Sequence, residues 1–319
     1  MPLDLPSPST DTAVSLVPRD PEEMLAEDMA QFFYDPVGFA KFAFPWGKGM
    51  LSSAKGLRRW QKRYLKRVGE QVIKNNFDGV SSVPALRMST ASGHGIGKSA
   101  LVAILILWIM STRPHCKGTV TANTSEQLRT KTWAELGKWH KMCITGHWFS
   151  FNNSKGNMNL YHNDYKDTWR CDAQTCREEN SESFAGQHAA SSTSFYIFDE
   201  ASAVPDKIYE VSEGGLVRGE PMIFLFGNPT RNTGRFRETH GRLKHRWLTE
   251  QIDSREVEGT NLDLINEWIE DFGIDSDFVK VRVLGMFPSA SDMQFVPTDI
   301  IDFCASMPDP ATSTSDALV

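Results

Sequence analysis

The chain has 319 residues, enough to bury a full core as one large domain or two smaller ones. Hydrophobic residues make up 40% and charged residues 23%, as in an ordinary soluble protein, and the net charge of −6 excludes a uniformly basic nucleic-acid coat. Met1 to Arg19 is polar and contains prolines, so no signal peptide opens the sequence, and the longest apolar run, Ala100–Met110, is too short to span a bilayer.

Five cysteines without paired spacing suit a reducing compartment. Cys171 and Cys176 lie near His162 and His188, but their spacing departs from Cys-x-x-Cys, and a zinc site is not expected.

Residues 1–20, rich in Pro, Ser, Thr and Asp, read as a disordered arm. Residues 21–85 read as a helical segment. It holds a helix over Glu22–Phe33, a break at Asp35-Pro36 and a short aromatic stretch ending at Trp46. An amphipathic helix follows over Leu57–Ile73, with Leu57, Trp60, Tyr64, Leu65, Val68 and Val72 on one face. Arg58, Arg59, Lys62, Arg63, Lys66 and Arg67 fill the rest, either as a DNA-facing surface or as a solvated face.

From residue 86 short apolar runs alternate with helical stretches: strand Leu86–Ser89, helix Lys98–Met110, strand Thr119–Ala122, helix Ser125–Cys143. Strands follow at Phe195–Phe198 and Met222–Phe226, with antiparallel strands expected around Asn159–Cys171. This alternation predicts an α/β fold whose mostly parallel sheet is flanked by helices on both faces. A strand at Trp247–Ile252, helices at Leu262–Phe272 and Asp275–Leu284, and a linker-like tail over 291–319 complete the chain.

Ser92-Gly93-His94-Gly95-Ile96-Gly97-Lys98-Ser99 carries the most chemistry. A glycine-rich turn between a strand and an apolar helix points successive backbone N–H groups into one concavity, which binds phosphate oxygens together with the helix N-terminus. Lys98 is then placed to reach the β- and γ-phosphates and the Ser99 hydroxyl to ligate Mg²⁺. Ser92 stands where the pattern wants glycine, at a position where only the backbone is needed. His94 is either a phosphate contact or a loop filler.

About a hundred residues later, Phe195–Phe198 ends in Asp199-Glu200, two carboxylates at a strand edge. In nucleotide hydrolases the first supports the metal shell and the second polarises the attacking water. A third apolar strand, Ile223–Phe226, ends in Gly227-Asn228-Pro229-Thr230; lying beside the first two, it brings Asn228 toward the γ-phosphate. The Gln61 amide has the donor and acceptor needed to pair with an adenine edge.

In this order the segments resemble the ATPase domain of the phage terminase large subunit. The resemblance rests on Trp60-Gln61, Ala91–Ser99, Phe198–Ser202, Gly227–Arg231, Gly234-Arg235-Phe236 and Val281–Pro288, and covers roughly residues 35–290. It implies a RecA-like (ASCE) P-loop NTPase core over 86–245 and a small C-terminal lid subdomain over 246–290. It further implies ATP and Mg²⁺ as cofactors, with Trp60 and Gln61 at the adenine and residues 92–99 cradling the phosphates. Asp199 supports the metal, Glu200 activates water, and Asn228 to Thr230 sense the γ-phosphate and couple hydrolysis to movement. The implied role is an ATP-driven motor that translocates double-stranded DNA into a procapsid, gripping it by phosphate contacts. Portal protein and terminase small subunit are the implied partners, the active form a homo-oligomeric ring, the location the host cytoplasm.

Such motors commonly need an arginine supplied in cis or by a neighbour. Arg129 is the first candidate, with Arg218, Arg231 and Arg235 open. The family's usual C-terminal nuclease domain has no room before Val319, so DNA cutting is not expected of this chain. Two other readings stand beside the motor. One is a superfamily-2 helicase-like ATPase, suggested by Asp199-Glu200-Ala201-Ser202 and Gln61. The other is a nucleotide-gated docking module with little turnover.

Overall fold

The computed structural model describes residues 20–185, 189, 191–289 and 303–306. The expected N-terminal arm and most of the expected tail lie outside these residues, as does His188.

Three helices open the chain. Helix α1 spans Pro21–Gln31, with Asp20 accepting from the Glu22 N–H as N-cap and Pro21 in its first turn. The expected break at Asp35-Pro36 is instead the start of helix α2, Pro36–Ala43, where Asp35 Oδ1 accepts the Gly38 N–H at 2.8 Å. An Asp followed by Pro is an N-cap followed by N1, and that chemistry outweighed the break signal. Helix α3, Arg59–Asn75, buries Trp60, Gln61, Tyr64, Leu65, Val68 and Val72, and Asn76 in the left-handed region ends it.

Eight strands form one sheet: β1 (Leu86–Ser92), β2 (Lys117–Ala122), β3 (Phe149–Ser154), β4 (Asn157–His162), β5 (Arg170–Thr175), β6 (Thr193–Asp199), β7 (Glu220–Gly227) and β8 (Leu248–Ile252). Their order is β3-β4-β5-β2-β6-β7-β1-β8. The run from β5 to β8 is parallel, and β3 and β4 add an antiparallel flap next to β5. β6 and β7 are buried along their whole length, as parallel strands covered on both faces must be.

Helix α4, Lys98–Thr112, is apolar all round and fully buried from Leu101 on, so the long apolar run is core and not a membrane segment. Among the described residues no helix is long and apolar enough to cross a membrane. Between β2 and β3 the chain is helical at Ser125–Gln127 (α5), makes a π turn over Leu128–Trp133 and continues as α6, Ala134–Met142. Helices α7 (Asp206–Gly214) and α8 (Arg235–His240) follow β6 and β7.

One large cluster packs α1 to α4 and α6 on one sheet face, and a second, built on Phe184, Tyr196, Phe198, Tyr209, Ile223, Leu225 and Phe236, covers the other. The strand Leu248–Ile252 is the edge of this main sheet, paired with β1. Beyond it, helix α9 (Leu262–Phe272), the single turn α10 (Asp277–Val279) and a second π turn, Lys280–Leu284, form a small core of their own around Ile265, Val279 and Val283.

Candidate nucleotide site at the strand ends

The sheet order decides which residues can meet. β7 lies between β1, which runs into the glycine loop, and β6, which ends at Asp199. Asn228, just past β7, therefore sits between loop and carboxylates. The Lys98 ammonium donates to Asn228 Oδ1 at 3.1 Å and to Ser92 Oγ at 3.2 Å. Asn228 Nδ2 donates to Ser92 O at 2.6 Å, and Ser202 Oγ donates to Asn228 O at 2.6 Å. Ser202 in turn accepts the Thr230 N–H at 3.3 Å. Lys98 and Ser99 form the first turn of α4, after Gly97 at φ +82°, a conformation that glycine adopts without strain.

Burial pulls the Lys98 amine below its ordinary value, while the charges of Asp199 and Glu200 push the other way. The Lys98 ammonium thus stands at the mouth of the loop with both carboxylates facing it.

The loop is held from outside on two sides. At the start of α3, Arg58 donates to Gly95 O at 3.1 Å, Trp60 Nε1 to Ile96 O at 2.9 Å and Gln61 Nε2 to Gly97 O at 3.0 Å. Gln61 Oε1 also accepts the Arg58 N–H at 3.0 Å. Arg58, Trp60 and Gln61 thus brace the loop through three consecutive carbonyls, with both ends of the Gln61 amide bonded to protein. From the other side, the Gly93 N–H donates to Ile252 O at 3.0 Å, the His94 N–H to Arg282 O at 2.8 Å, and Ser254 Oγ to His94 O at 2.7 Å. A Cβ at Gly93 would overlap Ser254 Oγ and Val283 O, so this close approach needs glycine.

Asp199 is buried and uses both oxygens. Oδ1 accepts the Glu200 N–H at 3.0 Å, and Oδ2 accepts from the Thr132 hydroxyl. Glu200 has φ +54°, a left-handed backbone that costs a non-glycine residue energy and turns its side chain away from the strand direction. Ser99 and Asp199 supply hard oxygen donors of the kind Mg²⁺ prefers, so the residues fit that ion.

Arg129 is not drawn into this network: its guanidinium pairs with Glu126 at 2.9 Å. Arg235 pairs with Glu238 and Glu210, and exposed Arg218 precedes β7, at the strand end opposite Asn228. Arg231 is exposed beside Thr230. Much of the basic face of α3 is paired: Arg59 with Glu258, Arg63 and Arg67 with Glu250, Lys66 with Glu70. Thr132, Ser254 and the Arg58 side chain are site residues that the sequence motifs did not assign. Arg58 stands two positions before Trp60, but nothing local marks Thr132. No group of three metal-ligating side chains occurs among the described residues, and Cys171 and Cys176 are free and buried.

The core is the six parallel strands β5, β2, β6, β7, β1 and β8, with the phosphate loop and the carboxylate pair on strands separated by one. The fold is the RecA-like (ASCE) architecture of solved large terminases. The large terminase of a thermophilic bacteriophage, in complex with ADP, superposes with a TM-score of 0.51 at 16% identity, over 65% of this chain and 49% of that one. The HK97 bacteriophage large terminase gives 0.51 at 12% identity, over 89% and 59%. In sequence, the chain is 28% identical over 213 residues to a probable terminase large subunit of Enterobacteria phage P7, covering 64% of this chain. It spans 43% of that relative's length. No family model matches.

Proposed function

We propose that this chain is the ATP-hydrolysing motor domain of a viral large terminase, coupling hydrolysis to translocation of double-stranded DNA. The observation that carries this reading is the convergence of Lys98, Asn228 and the Asp199–Glu200 pair at the ends of three neighbouring strands. In this reading the backbone of residues 95–99 and the Lys98 ammonium bind the phosphates. Ser99 and Asp199 would hold Mg²⁺, whose charge offsets that on the phosphate oxygens. Glu200 orients and deprotonates the attacking water. Asn228 exchanges its bond with Lys98 as the γ-phosphate arrives and leaves, and Ser202 passes that change to Thr230.

Of the expected lid, 246–290, strand β8 belongs to the main sheet, and the part that follows it acts as the lid: the contacts of Ser254 and Arg282 with the loop supply a path from nucleotide to lid movement. Gln61 and Trp60 flank the adenine side and hold the loop's shape. DNA is gripped through its phosphates, by a ring of copies that works with portal protein and small subunit in the host cytoplasm. Arg129 serves as the finger after leaving Glu126.

The test is steady-state ATP hydrolysis with Mg²⁺, with and without linear double-stranded DNA, alongside Lys98→Ala and Glu200→Gln. Turnover lost in both variants and raised by DNA supports the motor. Turnover that neither change affects overturns the site, and nucleotide binding without turnover in the native chain favours the docking module.

A further inference from the structure

The helix after β2 is irregular where it meets Asp199. It widens into a π turn over Leu128–Trp133 before returning to α geometry at Ala134. Such turns are rare and cluster at functional sites, because they place a side chain that a regular helix would not. In a regular helix, at about 100° per residue, Trp133 would face about 140° away from Leu128. The i→i+5 turn brings both to the buried side, with Thr132 between them; exposure is 0%, 2% and 0% for Leu128, Thr132 and Trp133.

Trp133 is anchored independently, by an Nε1 bond to Asn152 O at 2.7 Å and a stacked contact with Phe151 at 5.6 Å. The turn therefore delivers the Thr132 hydroxyl to Asp199 Oδ2 while the flanking side chains stay packed. The other Asp199 oxygen holds the N–H of Glu200, at the left-handed residue.

We propose that Thr132 is a positioning residue for the Asp199–Glu200 pair. Its hydroxyl fixes the Asp199 carboxylate, which leaves a defined pair of acceptor sites for a divalent cation and holds the Glu200 backbone. This rests on the hydrolase reading above. A carboxylate offers about four acceptor sites, and Thr132 and Glu200 take two. Hydrogen-bond partners that orient a metal-binding carboxylate are typically worth 10- to 100-fold in metal affinity or activity.

The experiment compares the native chain with Thr132→Val, which keeps the shape and removes the donor, and Thr132→Ser, which keeps the donor. Binding of a fluorescent ADP is titrated in EDTA and then with increasing Mg²⁺, beside the hydrolysis rate. Thr132→Val is expected to need about tenfold more Mg²⁺ for half-maximal effect, with unchanged nucleotide affinity in EDTA, and Thr132→Ser to restore the native Mg²⁺ dependence. Native Mg²⁺ dependence in Thr132→Val, or equal impairment in Thr132→Ser, overturns the proposal while leaving the hydrolase reading intact. A native chain that binds no nucleotide overturns the hydrolase reading, and this proposal with it.

Discussion

Lys98 and Asn228 are bound to each other across two strands, ammonium to amide oxygen at 3.1 Å, and the same amide donates to the backbone of Ser92 at the mouth of the loop. A side chain on the middle strand thus reports whether the lysine has another partner. Asn228→Ala is expected to lower turnover at saturating ATP by about ten- to a hundredfold, the worth of a hydrogen bond to a charged group. ATP affinity should change less, because the loop N–H groups and Lys98 remain. Steady-state rates and equilibrium binding measured side by side separate the two, and native turnover would exclude the role of Asn228.

Trp60 offers a sharper test of how the loop keeps its shape. Its indole N–H satisfies Ile96 O in a buried setting. Trp60→Phe preserves most of the packing but leaves that carbonyl unpaired, at a cost of about 1–3 kcal/mol. The expected result is an ATP KM raised about fivefold or more, with kcat little affected. A fall in kcat at constant KM would mean that Trp60 acts on the chemical step instead.

Loop, carboxylates and Asn228 were legible in the sequence because each is a local pattern: small residues before an apolar helix, and polar residues ending an apolar strand. The parallel sheet followed from strand–helix alternation. Helix α2 was missed because Asp35-Pro36 read as a break, although the same pair is also a cap and a first turn. β3 was missed because Phe149–Ser154 alternates too weakly to mark an edge strand. Thr132 could not be read at all: its meeting with Asp199 depends on a π turn set by Leu128 and Trp133 entering one core from positions five apart. Likewise Gln61, read for its amide, bonds the loop in this structure, a contact that exists only once α3 has docked on β1.

At the opposite end of the strands the fold rests on a buried ion pair. Arg113 bonds Glu220 at 2.8 and 3.3 Å, with side chains 1% and 2% exposed. Thr112 and Phe33 O take two more of the guanidinium's donors, Phe33 and Trp108 lie against it at 4.0 and 4.1 Å, and Thr193 donates to Glu220. The pair ties α1, α4, β6 and β7 together. Breaking it leaves an uncompensated buried charge, so Arg113→Met or Glu220→Leu alone should each cost about 3–5 kcal/mol. Joined in one chain, the two changes should cost clearly less than their sum, because no lone charge remains. Urea denaturation of the four proteins measures this, and simple additivity would show that the pair is not coupled.

His240 gives the protein a predictable acid sensitivity. The Ser89 hydroxyl lies 2.7 Å from Thr239 Oγ1 and 3.0 Å from His240 Nε2, and the Thr239 hydroxyl donates to Phe236 O. Ser89 therefore gives its proton to Thr239, and His240 donates from Nε2, which fixes the neutral tautomer. Burial first, then the charges of Arg237 and Lys244, hold the imidazole down to about 4 from an ordinary 6.5. A depressed folded value means that the unfolded chain takes up this proton first. Stability from this residue is complete above about pH 6.5 and is lost as pH falls toward 4, by about 2–3 kcal/mol. His240→Gln keeps a donor for Ser89 but cannot titrate. The stability difference between native protein and variant, measured by urea denaturation at pH 7 and pH 4.5, should therefore shrink or reverse at the lower pH. His140 and His162, also lowered by burial, should leave a residual slope in both proteins. An unchanged difference between the two pH values would show that the folded protein does not hold the His240 imidazole below its unfolded value.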